Sequence, residues 1–500
     1  MSHHTTTTTA HGHGHGHAAA AAPADHATAG EHEARRPWTV LALMLMAQFM
    51  VILDVSVVNV ALPTIGKSLS FSSGDYQWVV SAYVLLSGGL LLFGGRLADL
   101  FDRRTMFLTG LGLFTIASLV SATASSAATM ILSRGAQGAG AAMLTPAALS
   151  IIVTTYAGKQ RATALAIWGT IGSMGIAAGV LVGGLLTSAL GWRSIFFVNV
   201  PIGIVAAALS LRLVARSHGS GSARSLDVPG AITLITGLLA MVYAIEAAGT
   251  HGWTSTQSVV GATVSTVLLT AFWLVERRVS APLVPSGTWR IRSLISASTV
   301  MAVVTGAIVG AIFMSSLFLQ QVLGSSAVVA GVQFLPLAAA ITLGAALASH
   351  LIGHVGPRPL MVVGLLIVAA GAAYLATMDS EPSYWTGVLP GFIVIGLGTG
   401  PMFVAISIAA MGGISHEQSG LASGVMMTGH EVGAALGVAT LTAIAGDLTT
   451  RAGLIDAYPR AFAAIALAMV ALSVFVALVV PRQNASAGHG GGHGHGHGIH

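Results

Sequence analysis

Leu53-Asp54-Val55-Ser56-Val57-Val58-Asn59-Val60-Ala61-Leu62-Pro63 closes an apolar run that begins at Trp38. At about 1.5 Å per residue, Trp38–Leu62 is long enough to cross a hydrocarbon core about 30 Å thick. Its only formal charge is Asp54. A carboxylate at that depth is costly in lipid, so it is expected to face protein or a water-filled cavity and to carry function. Ser56 and Asn59 add polar groups within about one turn. Pro63 is expected to stop the helix as the chain leaves the membrane, which would put Asp54 about two turns below the helix end. The plainer alternative is an acid that snorkels to the interface.

The rest of the chain has the same character. Of its 500 residues, 54% are hydrophobic and 7% are charged, against about 25% charged in soluble proteins. The apolar runs are about twenty residues long rather than alternating segments of about ten, which excludes a membrane β-barrel. The 62 glycines suit close helix–helix contact in lipid. With no cysteine there is no disulfide framework, thiol chemistry or cysteine metal site. The net charge of +5 does not signal nucleic acid, because the basic residues sit in short loops between apolar runs. No Gly-x-x-x-x-Gly-Lys-Ser/Thr loop is present, so nucleotide-driven pumping has no support and the protein is expected not to be an enzyme. No cleavable signal peptide precedes Trp38, so the first span is expected to act as an uncleaved signal-anchor.

Fourteen apolar spans follow, near 38–62, 76–97, 105–124, 127–153, 161–188, 194–213, 228–248, 257–276, 295–320, 329–352, 358–377, 384–411, 418–445 and 460–481. An even number puts both ends on one side. If that side is the cytoplasm, sixteen of the 21 Lys and Arg residues fall inside, with Lys67, Arg193, Arg451 and Arg460 outside and Arg134 within the membrane. That asymmetry obeys the positive-inside rule. Leu97–Arg104 resembles Leu351–Arg358, and Arg161–Gly184 can be laid on His416–Ala439, at offsets of 254 and 255. The expected organisation is therefore a six-helix half at 38–213, two inserted helices with linkers at 214–294, and a second six-helix half at 295–481. The His-rich tails 1–37 and 482–500 have no apolar content to bury and are expected to be disordered.

Several stretches carry chemistry. Gly94-Gly95-Arg96-Leu97-Ala98-Asp99-Leu100-Phe101-Asp102-Arg103-Arg104 links spans 2 and 3. Gly95 permits a tight turn, and Arg96, Arg103 and Arg104 can pair with Asp99 or with helix C-terminal carbonyls and so latch one state of the bundle. Arg134, in Leu132-Ser133-Arg134-Gly135-Ala136-Gln137-Gly138-Ala139-Gly140-Ala141, lies at a depth similar to Asp54. It can pair with that acid, or rest on carbonyls and Gln137. Gly172, Gly175, Gly179, Gly183 and Gly184 give one helix a smooth face. Thr428-Gly429-His430-Glu431-Val432-Gly433 puts a second acid near mid-bilayer, a functional candidate by default. His350 and His354 stand one turn apart but lack acids or cysteines to complete a metal site. Glu246 and Glu276 sit near span ends and read as interfacial. Phe49, Tyr83, Trp168, Phe313, Phe318 and Phe403 offer an aromatic lining for amphiphilic substrates, or equally a face toward lipid.

The loop at Gly94–Arg104 resembles the signature cytoplasmic loop of the major facilitator superfamily, with Asp102 where that family has Gly. The Asp54 stretch and the Arg134 stretch resemble the first- and fourth-span motifs of its fourteen-helix drug:proton antiporters. Gly172–Gly184, Gly191-Trp192-Arg193 and Phe196-Phe197-Val198-Asn199-Val200-Pro201 resemble the fifth-span antiporter motif and its exit, with Val180 where Pro usually stands. The resemblance covers about residues 38–481 and implies an all-α major facilitator fold. It further implies export of drugs, antibiotics or other small amphiphilic or cationic molecules by alternating access. The energy source would be a proton gradient with no cofactor, and the protein would act as a monomer in the cytoplasmic membrane with both termini inside. Asp54, Arg134, Glu431, Asn59 and His430 are then the expected proton and substrate residues. Alternatives are a metal-linked or metabolite exporter using the His-rich tails, or a non-transporting membrane receptor.

Overall fold

The computed structural model describes residues 37–156, 158–216, 227–280, 282–285, 287–378, 383–411 and 419–481. The two tails lie outside the described residues. Every regular element among those described is helical. In chain order the helices are α1 Pro37–Leu69, α2 Ser73–Leu100, α3 Arg103–Ala122, α4 Ala127–Thr155, α5 Gly158–Leu190, α6 Ser194–Phe197, α7 Asn199–Leu213, α8 Val228–His251, α9 Thr256–Glu276, α10 Arg292–Leu317, α11 Ala327–Val355, α12 Pro357–Leu375, α13 Leu389–Met411, α14 Ser419–Ala445 and α15 Arg451–Val479. Eleven spans among the described residues are long and apolar enough to cross a bilayer, with α6 and α7 forming one interrupted span. The turns between them carry conventional caps. Ser72 and Asp75 form a reciprocal capping box at α2, and Ser126, Ser255, Ser326 and Thr450 each accept the first free N–H groups of α4, α9, α11 and α15.

The helices sort by contact. α2 packs on α4 and α4 on α3, while α1 lies along α5. Correspondingly, α11 packs on α13, α13 on α12 and α12 on α15. α14 packs on α10 and on α2, and the hairpin of α8 and α9 lies against α2 and α14. α9 is outermost: only 17% of its apolar window is buried, and Val260, Val264, Val267 and Trp273 are exposed. Such a face is satisfied by lipid and by no protein neighbour.

The expected stop at Pro63 does not occur. α1 continues through it to Leu69, so Asp54 lies near the helix middle. Proline has no N–H, which leaves the Asn59 carbonyl, four residues back, without its helical donor. A second helix supplies the missing donor: Ser316 Oγ on α10 donates to Asn59 O at 2.6 Å. The next residues of that segment, 318–322, form a π-helical turn, and from it Gln320 Nε2 donates to Val60 O at 2.8 Å. Pro within a membrane helix is tolerated where a neighbouring helix satisfies the freed group in this way.

A related device appears twice more, 255 positions apart. Pro146 in α4 frees the Ala142 carbonyl, and Gly94 of α2 lies against it. Pro401 in α13 frees the Leu397 carbonyl, and a Cβ added to Gly344 of α11 would come within 2.8 Å of it. Glycine is needed at both places because any side chain would displace the partner helix.

The Pro63–Ser316 seam gives a test. Ser316→Ala leaves a buried carbonyl unsatisfied and should cost about 1–3 kcal/mol in thermal unfolding in detergent. In a Pro63→Ala background the backbone N–H returns, and the same Ser316→Ala change should cost well under half as much. Equal costs in the two backgrounds would show that the seam does not depend on the proline.

Candidate functional site

Asp54 is 1% exposed and Arg134 2%, and the two form an ion pair through Arg134 Nη1 and Asp54 Oδ2. The other carboxylate oxygen, Oδ1, accepts from Asn199 Nδ2 at 2.9 Å and from Gln137 Nε2 at 3.1 Å. Arg134 Nη1 also donates to Gln137 Oε1 at 2.9 Å, and its Nε reaches Val79 O at 3.4 Å. Ser118 Oγ accepts from both Gln137 and Asn199, at 2.6 and 3.2 Å. Ser121 ties Gln137 to Ser133. Five helices, α1, α2, α3, α4 and α7, thus contribute to one closed network. Val198, between α6 and α7, keeps helical dihedrals (φ −63°, ψ −28°), and Asn199 opens α7 with its side chain on Asp54. Burying two charges is repaid only when geometry is good and further hydrogen bonds are made, and here both oxygens of the Asp54 carboxylate are used, although Asn199 Oδ1 is left without a partner.

Glu431 forms a second, separate cluster. It projects from α14 toward α2, where Ser87 Oγ donates to its Oε2 at 3.2 Å. Gly88 lies against the Glu431 Cβ, with no side chain of its own to hold α14 away. His430 Nδ1 is 3.5 Å from Glu431 Oε1. Glu431 is 23% exposed, so it can be reached where Asp54 cannot. Phe403 of α13 is half-buried with its ring centroid 6.4 Å from His430.

One face of α2 connects the two clusters. Val79, Tyr83 and Ser87 recur every four residues and therefore share that face. Val79 accepts from Arg134, the Tyr83 ring lies 4.3 Å under the Arg134 guanidinium, and Ser87 holds Glu431. Gly138 of α4 allows the backbone at Tyr83 and Ser87 to come close enough for this.

The remaining expected residues divide. Asn59 takes no part in the Asp54 network: its Nδ2 donates to Val55 O at 3.1 Å on its own helix, and its carbonyl serves the seam with Ser316. The side chains of Arg96 and Asp99 lie outside the described residues, and nothing lies within 4 Å of a Cβ placed on Gly95. Arg104 does latch a helix end, through Nη2 to Leu211 O at 2.7 Å and Nη1 to Val214 O at 3.1 Å at the end of α7. Asp102, the departure from the resembled loop, caps α3 by accepting from Thr105 N at 3.1 Å. Gly179 and Gly183 press α5 onto α1 at Leu53–Val57, and Gly184 meets α11 at Ala327. The surroundings of Gly172, Gly175 and Val180 lie outside the described residues. Gly191 ends α5 at φ +82°, a conformation that favours glycine. Tyr83, Phe313 and Phe318 are core side chains rather than lining. Glu276, read as interfacial, is buried and accepts from the N–H groups of Leu283 and Val284 at 3.0 Å. Among the described residues no three His, Cys, Asp or Glu side chains gather as a metal site. The sequence reading missed Asn199 and Ser118, for which the one available signal was an Asn inside an otherwise apolar run.

The eleven apolar spans among the described residues and the charges buried between them define a multi-pass membrane protein. Residues 44–438 match the Major Facilitator Superfamily, and the chain belongs to it. It is 39% identical over 431 residues to the puromycin resistance protein of Streptomyces alboniger, covering 85% of each chain. It is 37% identical over 443 residues to a cephamycin export protein of Amycolatopsis lactamdurans, covering 87% of this chain and 91% of that one. Among solved structures, a bacterial homologue of the human lysosomal transporter Spinster, in an inward-facing and occupied conformation, superposes with a TM-score of 0.62 at 18% identity. It covers 88% of this chain and 96% of that chain. The family expected from the motifs is thereby established.

The closed network around Asp54 predicts a coupling. Arg134→Ala strands a buried carboxylate and should destabilise the protein by about 3–5 kcal/mol. Adding Asp54→Asn should recover a substantial part, because the stranded charge is gone. Thermal unfolding of both purified variants decides this, and strictly additive losses would count against a direct pair.

Proposed function

We propose that the protein is a proton-coupled exporter of antibiotics or other small amphiphilic or cationic molecules, working by alternating access. The observation that carries this reading is the paired arrangement at α2: a sealed carboxylate held by Arg134, and a reachable one held by Ser87. Proton-coupled exchange needs an acid that meets the cavity and a charge whose pairing changes with state. Glu431 has the exposure for the first role, with His430 and Phe403 beside it for substrate. Asp54 suits the second, since protonation would remove the ionic attraction for Arg134 and weaken the hydrogen bonds the carboxylate accepts. The names of the relatives support export of an antibiotic, without selecting one.

The proposed architecture has fourteen membrane helices. The eleven apolar spans are joined by α2, α5 and α14, which have 28, 33 and 27 residues. Two six-helix halves, 38–213 and 295–481, would rock against each other with α8 and α9 at their edge. Both termini would be cytoplasmic, the protein would act as a monomer, and the proton gradient would supply the energy without a cofactor. The seam of Ser316 and Gln320 on α1 would then close the extracellular end in the present conformation.

Uptake into proteoliposomes under an imposed pH gradient tests coupling. Neutral amides cannot exchange a proton, so Asp54→Asn should abolish gradient-driven accumulation while sparing exchange of substrate for substrate. Glu431→Gln should do the same, or should lose cationic substrates selectively if its charge recognises them. Near wild-type accumulation by Asp54→Asn would place the coupling elsewhere. Topology is checked in the native cysteine-free chain. Ser486→Cys should resist an impermeant thiol reagent added to intact cells.

A further inference from the structure

A cavity of about 270 Å³ lies where the start of α2, the end of α8 and the end of α14 meet. Glu246 of α8 and Asp447, just beyond α14, both line it. Neither carboxylate has an ion-pair partner among the described residues. Asp447 is instead supported by its own loop. Its Oδ1 accepts from Thr449 N and Oγ1 at 2.8 and 2.6 Å, and Oδ2 accepts from Thr450 Oγ1 at 2.5 Å. These hydrogen bonds hold the Asp447 carboxyl below the usual carboxylate range, so its charge persists at physiological pH.

Gln77 supplies an independent observation. It is fully buried, it lines the same cavity, and neither its Oε1 nor its Nε2 has a hydrogen-bond partner. A buried amide with both ends unused is rare in a folded protein, because each unmet group costs its desolvation. Two acids with no ion-pair partner among the described residues, of which Glu246 has only His251 of its own helix as a basic neighbour, and an unpartnered amide oxygen line one cavity and describe the complement of an N–H-bearing cation. No aromatic ring lines the space among the described residues, so a quaternary ammonium, which binds through ring faces, is the poorer match. The volume falls just below the roughly 300–1,000 Å³ of drug-sized sites and far exceeds a bare metal ion.

We propose that this cavity is a binding site for a small protonated amine, or for the amine-bearing end of a larger molecule. The ammonium sits between Glu246 and Asp447 and donates to Gln77 Oε1. Because α2, α8 and α14 all contribute, the site exists only while those three helices are together at this end. Its use as a station for departing substrate rests on the export reading above, but binding itself does not.

Absence of native cysteine makes the test direct. Thr250, exposed at the cavity wall, is changed to cysteine in the full chain, purified in detergent. Its modification by the neutral reagent methyl methanethiosulfonate is timed at constant ionic strength. Butylammonium should slow the reaction at least threefold, whereas 1-butanol and sodium should not. Adding Glu246→Gln or Asp447→Asn should remove the protection, and Asp456→Asn, an exposed acid outside the cavity, should leave it. Should Glu246→Gln fail to fold, Gln77→Leu serves in its place, since an apolar side chain of similar size suits a buried position. It should weaken protection while leaving the monodisperse gel-filtration peak intact. Equal protection by sodium or butanol, or protection unchanged in the carboxylate variants, would overturn the proposal. No gradient is used, so a failure of proton coupling would leave this result untouched.

Discussion

A formal charge inside a bilayer has no water to turn to, and the structure around Asp54 is arranged by that constraint. The carboxylate receives Arg134, Gln137 and Asn199, and these in turn occupy Ser118, Ser121 and the Val79 carbonyl. Satisfying one acid therefore fixes the relative positions of α1, α2, α3, α4 and α7. The glycines follow from the same demand. Gly138 brings α4 to α2 and Gly179 and Gly183 bring α5 to α1, because short polar side chains reach one another only when backbones are close.

The division of labour between the two acids comes from their surroundings rather than their chemistry. Asp54 is enclosed on all sides by donors from one group of helices. Glu431 crosses from α14 to a single hydroxyl on α2 and keeps part of its surface open. A contact made by one hydroxyl across a seam is easily exchanged, while a network of five helices is not. The face of α2 bearing Val79, Tyr83 and Ser87 is the physical link between a rigid centre and a labile one.

Much of this was legible from the chain. An acid in an apolar run, an Arg at matching depth and a run of glycines are features of composition and spacing, and they left a pairing of Asp54 with Arg134 as one of two readings; the structure shows Arg134 on Asp54 and on Gln137 together. Asn199 was not legible, because its role depends on a tertiary contact with a helix 145 residues earlier in the chain, which spacing alone does not give. Pro63 misled for a related reason. Local rules end a helix there, but the rule assumes that the freed carbonyl has no other donor, and α10 supplies one. Asn59 was singled out for its side chain, whereas the contact the structure adds is on its main chain. Spacing left Arg104 either Asp99 or a helix C-terminal carbonyl as partner, and it lies on the carbonyls of Leu211 and Val214.

The acceptor at that seam is a backbone oxygen, and this shapes how the sequence can drift. Replacing Asn59 by another residue leaves the carbonyl in place, so position 59 is released from the task its location suggests. The burden moves to position 63, where a ring without an N–H keeps the oxygen vacant, and to position 316, where any short hydroxyl of equal reach would serve. Across related chains the seam should therefore record itself as an invariant imino acid facing a variable serine or threonine, while the asparagine between them is retained or lost for reasons of its own.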